Sequence, residues 1–576
     1  MSCRPDGPLG VSARGYDLLP RYPVAGQVDR GWPALCERLP ADSAVIAVDG
    51  PAMLDWPALV TGVTDGLHRV GVLADVVDIR EFVVCWEEVL RRTASGRGLE
   101  DDPDFATLAA GSVRDLFDRL PATPRHPDRL VLVVGPGAAL ADHDVLWYAD
   151  LPKRHAEAAV AAGCGQNLGQ PSAAARPSKR RLFYVDWPMT DRHRDALAPR
   201  IDCWIDMQDS ASPAWATGDD LRRTLRTLSE RPFRTRPVFN ATPWGGHWAQ
   251  AELGFSPDAE NTALGYELIA PESGLLIGTA RAAIEVPLQL LISLHPTEIL
   301  GSHVRDLFGP SFPIRFDYLD TAGGGNLSVH CHPVAKDMAD VFGWPYPQHE
   351  TYYVMVAGDD SVIYLGLRAG ASLEEFHRCA HRADKYGVQF DIERFVQTFP
   401  AEQHRLFMVP AGTPHGSGAG NVVLEISATP YLYSLRFYDW LRRDSAGAQR
   451  QVHVEHAFRN LNRNRRGHAV GHDLVQQPRM TLRGDGWHEE LLGSLPEMFF
   501  DVRRLAIARD AQVSQHTGDR FHVLNLVDGD AVMIHWAGGS QHLSYAETIV
   551  IPARVGSYRV AATGRSPARI VQALVR

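Results

Sequence analysis

Between residues 326 and 429 the chain repeatedly sets short runs of β-branched and aromatic residues between turn-formers. These runs are NLSVHCH (326–332), ETYYVMVAG (350–358), SVIYLGL (361–367), RLFMVPAG (405–412) and NVVLEISAT (421–429). The same texture returns in RRLAIA (503–508), RFHVLNLVDGDAVMIHW (520–536), AETIVIPA (546–553) and ARIVQALV (568–575). Short strands at such intervals build antiparallel sandwiches or barrels of jelly-roll type. One stretch breaks the pattern: SLEEFHRCAHRADKYG (372–387) has helical spacing, with Ser372 as a cap before Glu374 and Glu375, and predicts a helical insertion. The first part of the chain reads differently. SAVIAVDGPAM (43–53), DRLVLVVGPGAAL (128–140) and RRLFYVDWP (180–188) are apolar, strand-like runs, and DWPALVTGVTDGLHRVG (55–71) has helical spacing. Strands alternating with helices predict a mostly parallel sheet. Residues 163–181 read as a loop, and the proline- and arginine-rich 229–246 as a boundary. The expectation is a multidomain protein: an α/β domain over 1–235, a β-rich barrel with a helical insertion over 236–445, and a second β-rich barrel over 446–576.

Composition excludes several functions. A chain of 576 residues calls for two to four domains, and its 45% hydrophobic and 22% charged shares are those of a soluble globular protein. A net charge of −11 argues against general binding to nucleic acid or anionic membranes. Only four of the 58 basic residues are lysine, a bias that reads as genome composition. Seven scattered cysteines give neither a CxxC pair nor a disulfide framework. No apolar run reaches transmembrane length, and the N-terminus has no signal-peptide core, so the expected compartment is the cytoplasm.

The first run also carries chemistry. In an extended strand His330 and His332 share a face, with Cys331 opposite. Alone, among 24 histidines, such a pair is ordinarily surface or core. Glu350, however, opens the next strand, and VPAGTPHG (409–416) puts His415 just after a tight turn. There Pro410 fixes φ and Gly412 permits a backbone conformation other residues avoid. The order H-x-H, Glu, P-x-G-x-x-H is the cupin metal-site pattern, and three neutral imidazoles with one carboxylate bind zinc, iron, manganese or nickel. A strand-edge charge at Glu350 and a turn histidine at His415 explain the pieces singly but not their order.

Further motifs accompany these: TPWGGHW (242–248), GYELI (265–269), TEILGSHVRDLFGPSFPIRFDYLDT (297–321), LSVHCHP (327–333), HETYYVM (349–355) and LEISATPYLYSLRFYDW (424–440). Together, over about 236–576, they resemble class I mannose-6-phosphate isomerases, which are cupin-fold zinc enzymes. The resemblance implies metal ligands at His330, His332, Glu350 and His415, an active-site arginine at Arg436 and a nearby carboxylate at Glu425. The implied activity is aldose–ketose isomerisation of mannose 6-phosphate or a related sugar through a cis-enediol. In that scheme Glu425 moves the proton, and Arg436 stabilises the enediolate or binds a substrate anion. Structural alternatives are a salt bridge from Arg436 to Asp439 or Asp444, and Glu425 as the partner of such an arginine. The chain departs from the family at two positions. His330 stands where the family has glutamine, which changes the metal preference and keeps Fe²⁺ and Mn²⁺ beside Zn²⁺. Gln348 stands where the family has a lysine facing the substrate, which removes a cation from the sugar's surroundings. Two other readings stay open: a cupin oxygenase or decarboxylase using three histidines and a glutamate, and a non-catalytic sugar-binding protein. In the last barrel ETIVIPARVGSYRV (547–560) repeats the strand–Pro–turn shape, but Tyr558 replaces the ligand histidine, so this barrel is expected to be metal-free.

VIAVDGPAMLDWPAL (45–59) and LVLVVGPGAALADHDVLWYADLPKRHAE (130–157) are similar to the first strand with its phosphate loop, and to a later strand, of uridine-kinase-like P-loop proteins. The working motif is G-x-x-x-x-G-K-[ST]. Asp55, Trp56 and Pro57 occupy the matching places, so the second glycine, the lysine and the hydroxyl are missing. An aspartate there repels phosphate. The resemblance therefore implies a degenerate kinase-like domain used for binding, regulation or assembly.

Overall fold

The computed structural model describes residues 14–576 apart from 41–43, 97, 127, 172–175, 256–257, 430–432 and 445–446. The expectation of a missing signal-peptide core and the centre of the 163–181 loop fall on residues outside that set. Five parallel strands form the centre of the first sheet, in the spatial order Ala74–Asp78, Leu130–Val134, Val45–Asp49, Val145–Asp150, Cys203–Asp206. Ala214–Thr217 and Asp29–Arg30 extend it antiparallel. Val45–Asp49, Leu130–Val134 and Val145–Asp150 are buried at every position, as strands covered by helices on both faces must be. The first strand in sequence is central, and at its end Asp49 accepts hydrogen bonds from the amides of Gly137 (3.1 Å) and Ala139 (2.9 Å) and lies 2.8 Å from His193 Nε2. The following helix, Trp56–Arg69, buries Trp56, Leu59, Val63 and Leu67. Its N-terminus is capped by Asp55, whose carboxylate accepts from the Ala58 amide at 3.0 Å. A carboxylate thus occupies the helix end where an anion would otherwise bind.

The strand reading of RRLFYVDWP is wrong. Lys179–Arg181, Leu182–Asp186 and Trp187–Leu197 form one continuous helical stretch. Ser178 caps it by accepting from the Arg181 amide, and Pro188 sits at the start of the last segment, where its missing N–H costs nothing. Its apolar run is continuous because Leu182, Tyr184, Val185 and Trp187 are all buried, not because it pairs in a sheet. Short apolar runs do not distinguish the two cases.

The middle of the chain forms two facing antiparallel sheets. One has six strands, in the order Leu406–Val409, Glu350–Val356, Val422–Ala428, Ile314–Asp320, Leu264–Leu268, Val238–Asn240. The other has five: Val396–Pro400, Val362–Leu367, His415–Ser417, Val329–Cys331, Leu435–Tyr438. The helical insertion Leu373–Tyr386 lies between Val362–Leu367 and Val396–Pro400, with Ser372 accepting from the Glu375 amide. It buries Phe376 against Phe395 and Phe437, at ring distances of 4.9 and 5.3 Å. The C-terminal part repeats the arrangement with a six-stranded and a four-stranded sheet around an aliphatic core that includes Leu505, Leu524, Ile534 and Ile570. The N-terminal segment crosses to these barrels: Arg21–Tyr22 pairs with Leu276 and Ile277, and Tyr16 hydrogen-bonds to Glu267. Among the described residues no helix is long and apolar enough to cross a membrane.

Candidate metal centre

His330, His332, Glu350 and His415 offer ligand atoms that all lie within 4.8 Å of one another, and all four are buried. Each arrives for a local reason. His330 and His332 flank Cys331 at the end of Val329–Cys331. His330 is the register partner of His415 on the neighbouring strand, so their side chains share the inner face. Glu350 comes from the opposite sheet. The turn before His415 needs Gly412, whose φ is +80° and whose place would put a Cβ 2.7 Å from the Asn460 carbonyl oxygen.

The ring orientations are set by the other nitrogens. His330 Nδ1 lies 2.9 Å from the Ser328 carbonyl, His332 Nδ1 3.1 Å from that of Tyr433, and His415 Nδ1 2.8 Å from that of Thr413. Carbonyls accept only from N–H, so each ring carries its proton on Nδ1 and turns a bare Nε2 inward. His332 Nε2 and His415 Nε2 lie 2.9 and 3.1 Å from the two oxygens of Glu350. Neither nitrogen, nor Glu350 Oε2, has a hydrogen-bond partner, and all are buried. Two bare nitrogens against a carboxylate repel one another, and a cation between them removes that conflict. Burial, then the neighbouring imidazoles, hold His330 well below the ordinary histidine range; burial also lowers His332. Burial alone would raise Glu350; His332 and His415, when protonated, pull it well below the usual carboxylate range, a pull that a bound cation would supply to the neutral rings' site. Neutral imidazoles facing an ionised carboxylate are the protonation states that bind a divalent metal. The donor set therefore fits such an ion.

A second layer surrounds the four. Gln348 shares the strand face with Glu350 and donates from Nε2 to Glu350 Oε1 at 2.5 Å, while its own Oε1 is buried without a partner. Glu425 is bound by Arg315, not by Arg436. Arg315 also donates from Nε to Ser427 Oγ at 2.5 Å and lies 3.4 Å from Asp317 and 3.5 Å from Glu350. Burial pushes Asp317 up to about 6 and raises Glu425 well above its ordinary value, despite the guanidinium. Arg315 and Asp317 lie inside the run FPIRFDYLD. Their signal was two opposite charges two positions apart on an otherwise apolar strand, which puts both on one buried face.

Arg436 is the register partner of His330 on its other side, but its guanidinium donates to the Gln451 carbonyl at 3.1 Å. The salt bridge expected as its structural alternative is taken by others: Asp439 pairs with Arg442 and Arg450. The N-terminal part reaches this wall. Asp104 lies 3.3 Å from His453 and Asp102 lies 2.6 Å from His456, while Phe105 and Tyr184 pack against Tyr433, whose carbonyl faces His332. In the C-terminal barrel the Tyr558 hydroxyl lies 2.8 Å from His522 Nδ1 and accepts from Gln572 Nε2 at 3.2 Å.

Residues 31–230 match a family described as "Domain of unknown function (DUF8485)". The mannose-6-phosphate isomerase of Streptococcus mutans is 28% identical over 222 residues, 37% of this chain and 63% of that protein. ManA, the mannose-6-phosphate isomerase of Bacillus subtilis, is 24% identical over 320 residues, 53% of this chain and 89% of that protein. The crystal structure of the mannose 6-phosphate isomerase from Bacillus subtilis aligns with 59% of this chain and 99% of its own, at 20% identity and a TM-score of 0.48. The sequence similarities, at low identity, support homology to mannose-6-phosphate isomerases.

Proposed function

We propose that the chain is a metal-dependent aldose–ketose isomerase acting on mannose 6-phosphate or a related sugar. His330, His332, Glu350 and His415 hold its divalent cation, one of Zn²⁺, Fe²⁺ or Mn²⁺. The observation that carries this reading is the convergence of bare, buried imidazole nitrogens on the Glu350 carboxylate, each ring locked by a backbone carbonyl. A cation bound there supplies polarisation of the substrate carbonyl. The rest falls to the protein. Glu425 takes the proton from the carbon beside the carbonyl and returns it to the carbonyl carbon, a transfer that needs one base on one face, while the hydroxyl proton passes from the one oxygen to the other. Arg315, bonded to Glu425, holds that carboxyl in place and offsets negative charge as it develops. Gln348 presents its partnerless amide oxygen to a sugar hydroxyl, and burial of the whole group keeps water out. Arg436, on the strand beside His330, binds the substrate's anionic part or the enediolate. Residues 236–445 form the catalytic unit, 446–576 a structural barrel, and 1–235 a degenerate kinase-like domain.

The test is conversion of mannose 6-phosphate to fructose 6-phosphate by protein loaded with each metal in turn. Arg436→Ala should keep its metal and lose turnover; full activity in that variant removes Arg436 from the mechanism. One observation favours a second reading. The third imidazole, His330, gives the ligand set used by cupin oxygenases and decarboxylases, and oxygen consumption by the iron-loaded protein without isomerisation would select it.

A further inference from the structure

The three ligand imidazoles are not held alike. His330 and His415 set their rings on carbonyls two residues back in the chain, those of Ser328 and Thr413, so the turn that delivers each ring also fixes it. His332 depends on the carbonyl of Tyr433, 101 positions away. Its ring is oriented only as well as Tyr433 is placed. Tyr433 is fully buried, and part of its cage comes from the N-terminal part. Its ring lies 4.3 Å from that of Phe342 in the middle barrel, but also 5.4 Å from Tyr184 and 6.0 Å from Phe105. Its hydroxyl donates to the Phe342 carbonyl at 3.3 Å and reaches that of Ala106 at 3.5 Å.

Residues 99–108 form a strap laid over this spot. Asp102 shapes its tip: one carboxylate oxygen accepts from the amides of Asp104 (2.9 Å) and Phe105 (2.7 Å), and the other lies 2.6 Å from His456 Nε2. Asp104 lies 3.3 Å from His453 Nε2. Past the tip, Thr107 Oγ1 donates to the Val341 carbonyl at 2.7 Å, and the Leu108 amide to that of Phe342 at 3.0 Å. From the N-terminal side Arg180 grips the strap, donating to the carbonyls of Phe105 and Leu99, both at 2.7 Å. Phe105, 4% exposed, is thereby wedged among Phe342, Tyr433, His453 and His456, with ring centres 4.6 to 6.0 Å away. The strap is tied at both ends, and what it presses on is the residue that orients His332.

We propose that residues 99–108 are a positioning strap for the metal centre: Phe105 wedges Tyr433 so that its carbonyl keeps His332 Nε2 turned toward the other three ligands. The proposal rests on the metal-centre reading and deepens it. It gives the N-terminal part a definite task, completing a site whose four donors all belong to the middle barrel. The physical reason is entropic. A ring that swings freely must lose that freedom when it binds, and partners that orient ligands are worth about 10–100-fold in metal affinity. Local carbonyls make this provision for His330 and His415; for His332 it is made across the interface.

The experiment is a chelator competition that reads the Zn²⁺ affinity of the full-length protein, in wild type and in Phe105→Ala, each made also in a His332→Ala background. With His332 present, Phe105→Ala should weaken Zn²⁺ binding about tenfold, and Phe105→Leu, which keeps most of the bulk, should recover most of that loss. In the His332→Ala background Phe105→Ala should change the affinity less than about twofold, because the ring it positions is gone. A merely structural role predicts a lower melting temperature with Zn²⁺ affinity unchanged, or reduced equally in both backgrounds, and either result overturns the proposal. Should Phe105→Ala not fold, Arg180→Met is read in the same way, because it loosens the strap at the Phe105 and Leu99 carbonyls. The two readings separate cleanly. Wild type that binds none of Zn²⁺, Fe²⁺ and Mn²⁺ sinks the metal centre and the strap with it, whereas wild type that binds Zn²⁺ no more tightly than Phe105→Ala sinks the strap and leaves the metal centre.

Discussion

Arg315→Met should be among the most damaging single changes outside the four ligands, and its size follows from the burial of the residue. Arg315 is 6% exposed, and its guanidinium faces three carboxylates, those of Glu425, Asp317 and Glu350. Methionine keeps much of the aliphatic bulk and removes the charge. Glu425 and Asp317 must then take up protons or stay ionised in a medium that solvates them poorly. Breaking a buried ion pair by removing one partner costs about 3–5 kcal/mol. With roughly 2–4 °C of melting temperature per kcal/mol for a domain of this size, the middle barrel should melt about 6–20 °C lower. Differential scanning calorimetry of the intact protein reads the shift. A second variant isolates the cause: Arg315→Met combined with Glu425→Gln removes the carboxylate most tightly bound to the guanidinium and should recover part of the loss. If the single variant melted within about 1 °C of wild type, or if the double variant were less stable than the single, the idea that Arg315 is there to hold buried carboxylates would be refuted.

The other predictions are shorter. His332→Ala and His415→Ala should each lower metal content, read by mass spectrometry of protein purified without added metal, because each removes one of four donors and leaves Glu350 without its nearest imidazole; stoichiometric metal in both variants would contradict the assigned centre. Asp150, buried at the end of its strand, is raised to about 7 by burial and by Asp206 and Asp191, against the pull of Arg194. A carboxyl raised in the folded state above its unfolded value contributes stability that is full below about pH 4 and is lost as pH climbs through 7, so Asp150→Asn should flatten the fall in melting temperature between about pH 4 and 7. An unchanged slope would show that this carboxyl is not the titrating group.

What could be read from the sequence was what short-range rules encode. The His330–Cys331–His332 alternation, the Gly412 turn before His415, the Ser372 cap and the Asp55 position each follow from backbone geometry within a few residues, and the structure has each of them. The errors and omissions arose where one-dimensional pattern is ambiguous or long-range pairing decides. An apolar run such as LFYVDW suits a buried helix as well as a buried strand, and only the packing of Leu182, Val185 and Trp187 resolves it. The sequence reading offers an arginine such as Arg436 as a structural partner for Glu425. The partner is Arg315, 110 positions away, because Ile314–Asp320 pairs with Val422–Ala428 in register.

That pairing also bears on the two departures at His330 and Gln348. The absence of a lysine at 348 changes the charge balance around Glu350, whereas a neutral imidazole at 330 changes only the kind of donor atom. Arg315 restores a cation to the same carboxylate from the neighbouring strands, and Gln348 fills the vacated place with a donor aimed at Glu350 Oε1. Gln348 and Arg315 thus meet at one oxygen atom, Glu350 Oε1. A lysine reintroduced at position 348 would put a second cation beside Arg315 against the same carboxylate and compete for the electrons Glu350 gives to a metal. In Gln348→Lys metal content should therefore fall, and phosphosugar turnover with it. A single variant that keeps its metal and gains phosphosugar activity would show that the two sites act independently, and the account of their coupling through Glu350 would be wrong.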